Sequence, residues 1–174
     1  MTSTFDKLKK FDNQKLTDIV KNYKQYGYDI EIRNTAIEIL GERGISEEDL
    51  KLSGNYENVE YNSAEDIFDK YNKSSKLTFF FYGLFIITNL LAVAFMTKSE
   101  LLGSISTIIN FVSIISFLLF LIKSLINQNT FYKAIGKENA IGDQIVYVFI
   151  GMPLYIFIYF YYSNKMKEEL NLIE

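Results

Sequence analysis

The stretch from Leu77 to Met96 reads LTFFFYGLFIITNLLAVAFM, twenty residues without a charged side chain. An α-helix rises about 1.5 Å per residue, so a helix of this length covers roughly the 30 Å hydrocarbon core of a bilayer. The stretch therefore predicts a first transmembrane helix. A buried helix pair in a soluble protein is the competing interpretation, and a second long apolar run further along the chain argues against it.

Two more apolar runs follow the first. Leu101–Ile126 is interrupted only by Lys123 close to its end, where the ammonium group can reach the headgroups along its alkyl stem. Gln144–Tyr162 reads QIVYVFIGMPLYIFIYFYY, and its Gly151 and Pro153 predict a kink because proline removes a backbone donor. We predict an all-α integral membrane protein with a small N-terminal helical bundle and three transmembrane helices.

The pattern divides the chain into three parts. They are a cytosolic helical domain over 1–76, a transmembrane domain over 77–162 with spans at about 77–96, 101–126 and 144–162, and a polar C-terminal tail over 163–174. The first two spans are joined only by Thr97–Glu100, which predicts a tight antiparallel hairpin. The connector 127–143 mixes polar and apolar residues and is interpreted as a short amphipathic helix on the membrane surface, interrupted near Gly136, Asn139 and Gly142.

Lysines near the ends of the spans predict the orientation, because positively charged residues are retained on the cytoplasmic side. One side carries Lys70, Lys73, Lys76, Lys123, Lys133 and Lys137, and the other carries Lys98, Lys165 and Lys167. The excess of six lysines over three favours an N-terminal domain inside and a C-terminal tail outside. If the third run is re-entrant or interfacial, the tail also lies inside. Residue usage rich in Ile, Asn, Lys and Tyr is typical of an AT-rich bacterial genome, which favours a multi-pass protein of the bacterial cytoplasmic (inner) membrane.

Small and polar residues recur within the first two spans, and those of the second step by three or four along one face. They are Gly83, Thr88, Asn89, Gly103, Ser106, Thr107, Asn110, Ser113 and Ser116. Such residues let helix backbones approach closely, and amides bond across the interface. Asn89 lies at a depth between Thr107 and Asn110, which makes a hydrogen bond across the hairpin available. We interpret the set as helix-packing residues, and a polar face lining a pore is the alternative.

The first 76 residues predict four or five short helices. Apolar stripes with helical spacing are carried by Phe5, Leu8 and Phe11, by Leu16, Ile19, Val20 and Tyr23, by Ile32, Ala36, Ile39 and Leu40, and by Leu50 and Leu52. Asp29 and Ser46 have the positions of N-caps, Gly27 and Gly44 those of helix ends, and Ser63 opens a helix toward the first span. A bundle of this size is marginally stable alone, which favours docking on the membrane part or on a partner.

The composition excludes several classes of chemistry. The chain has no cysteine and no histidine, so thiolate chemistry, the commonest metal ligand and the usual general base are absent. The first 76 residues have a net charge of −3 and the remainder a net charge of zero, without the basic patch that nucleic-acid binding requires. The acidic group Glu47–Asp49 lacks the glycine and the alternating ligands of a calcium loop. No catalytic, cofactor-binding or metal-binding residue is predicted.

We therefore predict a non-enzymatic membrane protein, an accessory or scaffold subunit whose cytosolic helical domain docks a partner. The expected partners are the lipid bilayer and a larger membrane complex or a homo-oligomer. An oligomeric pore-forming or channel-like membrane effector is the alternative, motivated by the polar stripe from Gly103 to Ser116. An enzyme acting on lipid is disfavoured because no two carboxylates converge on a membrane-facing site.

Overall fold

The computed structural model describes residues 4–95, 99–137 and 141–173, with the side chains of residues 95 and 141–153 outside the description. Every regular element in these ranges is an α-helix, which confirms the all-α prediction. The helices are α1 (Thr4–Leu8), α2 (Asn13–Asn22), α3 (Ile30–Glu42), α4 (Glu47–Leu52), α5 (Val59–Phe95), α6 (Glu100–Ala134) and α7 (Ile141–Asn171). The chain divides into two compact units, Met1–Asn62 and Ser63–Glu174.

The short helices of the first unit begin and end at side-chain caps. The Asp29 carboxylate accepts a hydrogen bond from the first turn of α3, as predicted. Ser46 and Asp49 form a reciprocal capping box at the start of α4, which the sequence pattern also predicted. Gly44 follows the end of α3 with a left-handed φ of 84°, a conformation that glycine adopts without steric cost. Local chemistry therefore sets these helix ends.

The core of the first unit is small, and α3 packs against both α1 and α2. The buried apolar side chains are Leu8, Leu16, Ile19, Val20, Ala36, Ile39, Leu40 and Leu50, all of them members of the predicted stripes. Two other stripe residues are exposed, Phe11 at 41% and Leu52 at 88%. The bundle therefore leaves apolar side chains on its surface.

Helix α5 begins earlier than predicted and continues without interruption into the first apolar run. Its N-cap is Asn58, whose Oδ1 accepts a hydrogen bond from Tyr61 N at 3.0 Å. Asn58 is buried and its amide also donates to Asn22 Oδ1 at 2.8 Å, so a contact distant in sequence fixes this cap. Ser63, the predicted start, is an exposed residue inside the helix. The predicted boundary at residue 76 likewise falls inside α5.

Helix α6 continues past the predicted end of the second span. The residues 127–134 form its last turns rather than part of a separate surface helix, and Gly136 with a φ of 68° follows its end. Gln128, Phe131 and Tyr132 are buried there, so packing against the rest of the unit holds this extension in the helix. Of the predicted interruptions, Gly136 is confirmed as a helix end, Asn139 lies outside the described residues and Gly142 lies inside α7.

Helices α5 and α6 form an antiparallel pair, since their contact partners step forward along α5 and backward along α6. Successive contacts join Phe68 to Phe131, Ser75 to Ser124, Tyr82 to Phe117, and Phe85 to Asn110. The predicted link Thr97–Glu100 lies partly outside the described residues. The description resumes at Ser99, whose hydroxyl accepts from Leu102 N and caps α6.

Helix α7 is bent. Its backbone leaves helical values at Leu154 (φ −118°, ψ 20°), directly after Pro153. Beyond the bend, the Glu169 carboxylate forms an ion pair with Lys137. The four residues from Lys137 to Ile141 span at most about 15 Å, whereas a straight helix from Ile141 to Glu169 would extend about 42 Å. The difference exceeds the combined reach of the two side chains, so the bend brings the ends of α7 toward each other.

The half of α7 after the bend runs antiparallel to α5. Its contacts join Tyr155 to Tyr82, Tyr159 to Phe79, and Ser163 to Asn72. This half of the helix therefore leads from the apolar part of α5 back to its charged part. The kink was predicted, whereas a helix whose second half returns alongside α5 differs from the complete span expected over 144–162.

Candidate functional site

The outward surfaces of α5 from Phe79 onward and of α6 as far as Ile126 are mostly apolar. Both helices are long and apolar enough to cross a membrane, and only 17% of the most apolar window of each is buried. The exposed side chains include Phe80, Ile87, Leu90, Val93, Leu101, Ile108, Phe111, Ile115, Leu119, Ile122 and Ile126. Large exposed apolar surfaces of this kind mark contacts with a membrane or with another protein.

Polar side chains lie on the inner side of the same two helices, and we call them the polar seam. The seam consists of Ser74, Ser75, Thr78, Thr88, Asn110, Ser113, Ser124 and Asn127. The hydroxyl groups of Thr78 and Ser113 donate to carbonyls one turn earlier, at 2.9 and 2.7 Å. These two bonds satisfy the hydroxyl groups within their own helices.

The end of the seam nearest the charged part of α5 joins all three long helices. The hydroxyl groups of Ser75 and Ser124 are 2.6 Å apart and buried. The Asn127 amide donates to Lys70 O at 3.1 Å and to Ser74 Oγ at 3.2 Å. From α7, the Tyr155 hydroxyl donates to Ser75 O at 3.3 Å. This end of the seam therefore connects α7 to the α5–α6 pair.

The middle of the seam contains a side-chain amide hydrogen bond across the hairpin, as expected, but Asn89 does not take part in it. The Asn110 amide donates to Phe85 O at 3.1 Å and to Thr88 Oγ1 at 3.2 Å. Thr88 is buried, whereas Asn89 is exposed on the outward side of α5. The predicted depth of the contact agrees with the structure, but the assignment to Asn89 is wrong. Adjacent residues of a helix point about 100° apart, and the rotation of α5 selected Thr88.

The other predicted packing residues are distributed unevenly. Gly103 is buried, while Ser106, Thr107 and Ser116 are half-buried. Gly83 has no atom within 4 Å of the position that a Cβ would occupy, so it does not mark a close approach of helices. The side chains of Gly151 and Pro153 lie outside the described residues, and the backbone irregularity falls at Leu154.

Several residues of the seam lie outside the predicted spans or their polar stripe. Ser75 precedes the uncharged run of α5, and Ser124 and Asn127 follow that of α6. None of the three was among the predicted packing residues. A usable signal was present, because the buried face of α6 continues at the same spacing through Ser113, Phe117, Leu121, Ser124 and Gln128. Extending the stripe beyond the uncharged run would have found Ser124 and its neighbours.

An aromatic cluster from α5, α6 and α7 packs beside the seam. Tyr82, Phe117 and Tyr155 are at most 8% exposed, and their ring centroids lie 5.5 to 5.9 Å apart. Edge-to-face and tilted ring pairs at these distances are favourable beyond the area they bury. The cluster therefore provides packing between three helices.

Charged groups of the first unit are engaged in structural contacts. Burial alone would raise the pKa of Asp18, but hydrogen bonds from Asn22, Lys15 and Tyr26 outweigh it and hold that pKa below its usual value. The hydrogen bond to Asp18 raises the pKa of Lys15 and that of the Tyr26 hydroxyl. The Asp18 carboxylate is therefore engaged by side chains of its own unit.

Within the described ranges, no group of three or more carboxylates is placed to hold a metal ion. The seam presents hydroxyl and amide groups that are bonded to one another and to backbone carbonyls. Such an arrangement positions helices and supplies no nucleophile activated by a neighbouring base. A scan against models of protein families, a search of curated proteins and a search of solved structures each found no match to this chain.

Proposed function

We propose that the chain is an integral membrane protein without enzymatic activity, an accessory or scaffold subunit whose N-terminal unit docks a partner. The exposed apolar surface of α5 and α6 carries the membrane part of this proposal. The most apolar 18-residue segment of each helix is only 17% buried, and the hydroxyl and amide groups of the polar seam are bonded on the inner side. Within a bilayer core every polar group has to find an internal partner, and the polar seam provides those partners.

The bend in α7 supports two complete spans and a re-entrant third helix rather than three complete spans. Lys137 follows α6 and pairs with Glu169 in the last turns of α7. In our proposal α7 enters the membrane and leaves it on the side where α6 ends. The C-terminal segment then lies on the same side as the N-terminal unit, and the lysine distribution favours the cytoplasm for that side.

The docking role is supported by the surface of the N-terminal unit. Tyr26 and Tyr28 are exposed at 44% and 41%, with ring centroids 5.8 Å apart, and Ile30 beside them is 50% exposed. Exposed aromatic side chains are common at the centre of protein interfaces. We place the docking surface on these three residues.

The contacts of the polar stripe favour the subunit proposal over the pore alternative. Asn110 of the polar stripe bonds to α5 of the same chain, and Thr107 and Ser113 bond to carbonyls of their own helix. Such groups are engaged inside one chain and do not need a water-filled lumen. We therefore do not extend the proposal to a channel.

The proposal is tested by purifying the tagged full chain from native membranes in a mild detergent and analysing it by sizing and mass spectrometry. We expect a stoichiometric partner that is reduced severalfold in the Tyr28→Ser/Ile30→Ser variant. Leu52→Ser, which removes another exposed apolar side chain, is the matched control and should keep the partner. A chain that stays monomeric, with no protein cross-linked to it in cells, would contradict the docking role.

A further inference from the structure

A cleft of about 220 Å³ opens between α5 and α6 at the end of the polar seam. Its lining consists of Lys70, Lys73, Ser74, Leu77, Phe120 and Lys123. Three lysines from two helices thus converge on one cavity, while the two apolar residues form its other part. We propose that this cleft binds the phosphate head group of an anionic phospholipid, a proposal that rests on the membrane placement above.

The depth of the cleft matches the headgroup region of a bilayer. Leu77 begins the uncharged run of α5, and Lys123 follows the uncharged part of α6. The 2.6 Å contact between Ser75 and Ser124 places these two transitions side by side. The cleft is therefore lined by lysines where both helices are charged and by Leu77 and Phe120 where both become apolar. An anionic phospholipid matches this arrangement, because its charged head group is followed by apolar chains.

The charge of the cleft is only partly compensated. Lys70 pairs with Asp66 at 2.5 Å. Lys73 and Lys123 form no ion pair with any residue in the described ranges, although Asp69 lies one turn before Lys73. The cleft therefore keeps two uncompensated positive charges. Basic pockets between helices on the cytoplasmic side of a membrane attract anionic headgroups in this way.

The walls of the cleft are held in place before a ligand arrives. Ser74 is 2% exposed, donates to backbone carbonyls of α5 and accepts from the Asn127 amide at 3.2 Å. Phe120 stacks on Phe81 with centroids 5.6 Å apart and nearly parallel rings. The lysine side chains can thus close on a phosphate without rearrangement of the helices that carry them.

The proposal is tested with the full chain in a neutral detergent, titrated separately with phosphatidylglycerol, phosphatidylcholine and inorganic phosphate, and with bound molecules counted by native mass spectrometry. We expect phosphatidylglycerol to bind preferentially. Each of Lys73→Gln and Lys123→Gln should weaken it about fivefold, and the double variant about 25-fold. Lys76→Gln and Lys133→Gln remove exposed lysines of the same helices outside the cleft and should leave the affinity nearly unchanged.

Three results would overturn the assignment. Equal binding of phosphatidylcholine would remove the need for an anionic head, and equal losses in the control variants would show diffuse attraction instead of a site. Displacement of phosphatidylglycerol by equimolar inorganic phosphate would assign the cleft to the free ion. Extraction of the chain from membranes by alkaline carbonate would instead refute the membrane placement. That result is distinguishable from a chain that stays inserted and ignores the lysine changes.

Discussion

Arg33 and Arg43 are the two arginines of the chain, and both bind backbone carbonyls within the first unit. Arg33 donates from Nε to Val20 O at 3.3 Å and from Nη2 to Tyr56 O at 3.0 Å, while its guanidinium lies 4.2 Å from the Tyr56 ring centroid. Arg43 donates to Lys9 O and Phe11 O, both at 2.8 Å. A planar group with donors fixed in a fork can bond two backbone carbonyls and stack on a ring at the same time, whereas an ammonium group has no planar face to stack.

Replacing Arg33 by Lys should therefore destabilise the chain although the charge is kept. The expected loss is about 1–2 kcal/mol, because one carbonyl contact and the ring stacking disappear together. Thermal unfolding of the full chain in detergent, followed by circular dichroism, measures the effect. Lys10→Arg is the control, since Lys10 is exposed and the charge is again kept. Equal melting temperatures for Arg33→Lys and the unchanged chain would show that the carbonyl contacts contribute nothing.

Asp18 makes the stability of the first unit depend on pH in the acid range. Its pKa is lowered in the folded state, so its contribution to stability is complete above the unfolded value near 3.8 and disappears as the pH falls through the lowered pKa. We expect Asp18→Asn to lower the melting temperature at neutral pH and to have a much smaller effect in strong acid. Glu38→Gln, an exposed residue of α3, is the control and should be nearly neutral at neutral pH. A pH-independent effect of Asp18→Asn would refute the role of its hydrogen bonds.

At the scale of the helices, the α5–α6 pair depends on which residues face inward. Asn110 meets Phe85 O and Thr88 Oγ1, while Asn89 lies at a similar depth on the outward side. The exposed amide of Asn89 has no partner on α6 that the structure describes. Two asparagines of one hairpin thus serve as a matched pair for an experiment.

Asn110→Leu should weaken the hairpin by about 0.6 kcal/mol and by no more than about 1.7 kcal/mol, the average and the maximum for hydrogen bonds between membrane helices. Asn89→Leu should be neutral or slightly stabilising in a membrane-like environment, because it removes an exposed amide from an apolar surface. Resistance of the full chain to unfolding by sodium dodecyl sulfate compares the two variants. If Asn89→Leu were the more damaging change, the rotation of α5 would be incorrect.

At the scale of the whole second unit, the course of α7 is testable because the chain has no native cysteine. A chain with cysteines at positions 137 and 169 should be joined efficiently by a short bifunctional thiol reagent, since Lys137 and Glu169 form an ion pair. Cysteines at positions 99 and 169 are the control. Ser99 lies at the opposite end of α6, about 50 Å from its C-terminus by helical rise. Efficient joining of the control pair alone would refute the bend.

Labelling of single cysteines tests on which side of the membrane each end of the unit lies. In sealed cells, a membrane-impermeant maleimide should react at position 99 and leave position 169 unmodified until the membrane is opened. A fully crossing third helix would reverse the result at position 169. The experiment thus separates the re-entrant topology from three complete spans, and reaction at neither position would challenge the membrane placement itself.

The sequence by itself determined the features that depend on neighbouring residues. Asp29 and Ser46 cap helices because a short polar side chain reaches the first-turn amides wherever the fold places it. The length and apolar character of 77–96 and 101–126, the second broken only by Lys123, likewise suffice to predict long apolar helices. The depth of the contact at Asn110 followed from counting outward from the short link.

Only the tertiary structure decided which side chains face inward and where the chain turns back. Asn58 replaced Ser63 as the start of α5 because a distant bond to Asn22 holds it. Thr88 replaced Asn89 because packing between helices sets their rotation, and propensity carries no information about rotation. Pro153 predicted a bend in α7, but only the pairing of Lys137 with Glu169 shows that the bend brings the ends of the helix toward each other. Such contacts join residues far apart in the chain, and local sequence patterns do not encode their distances.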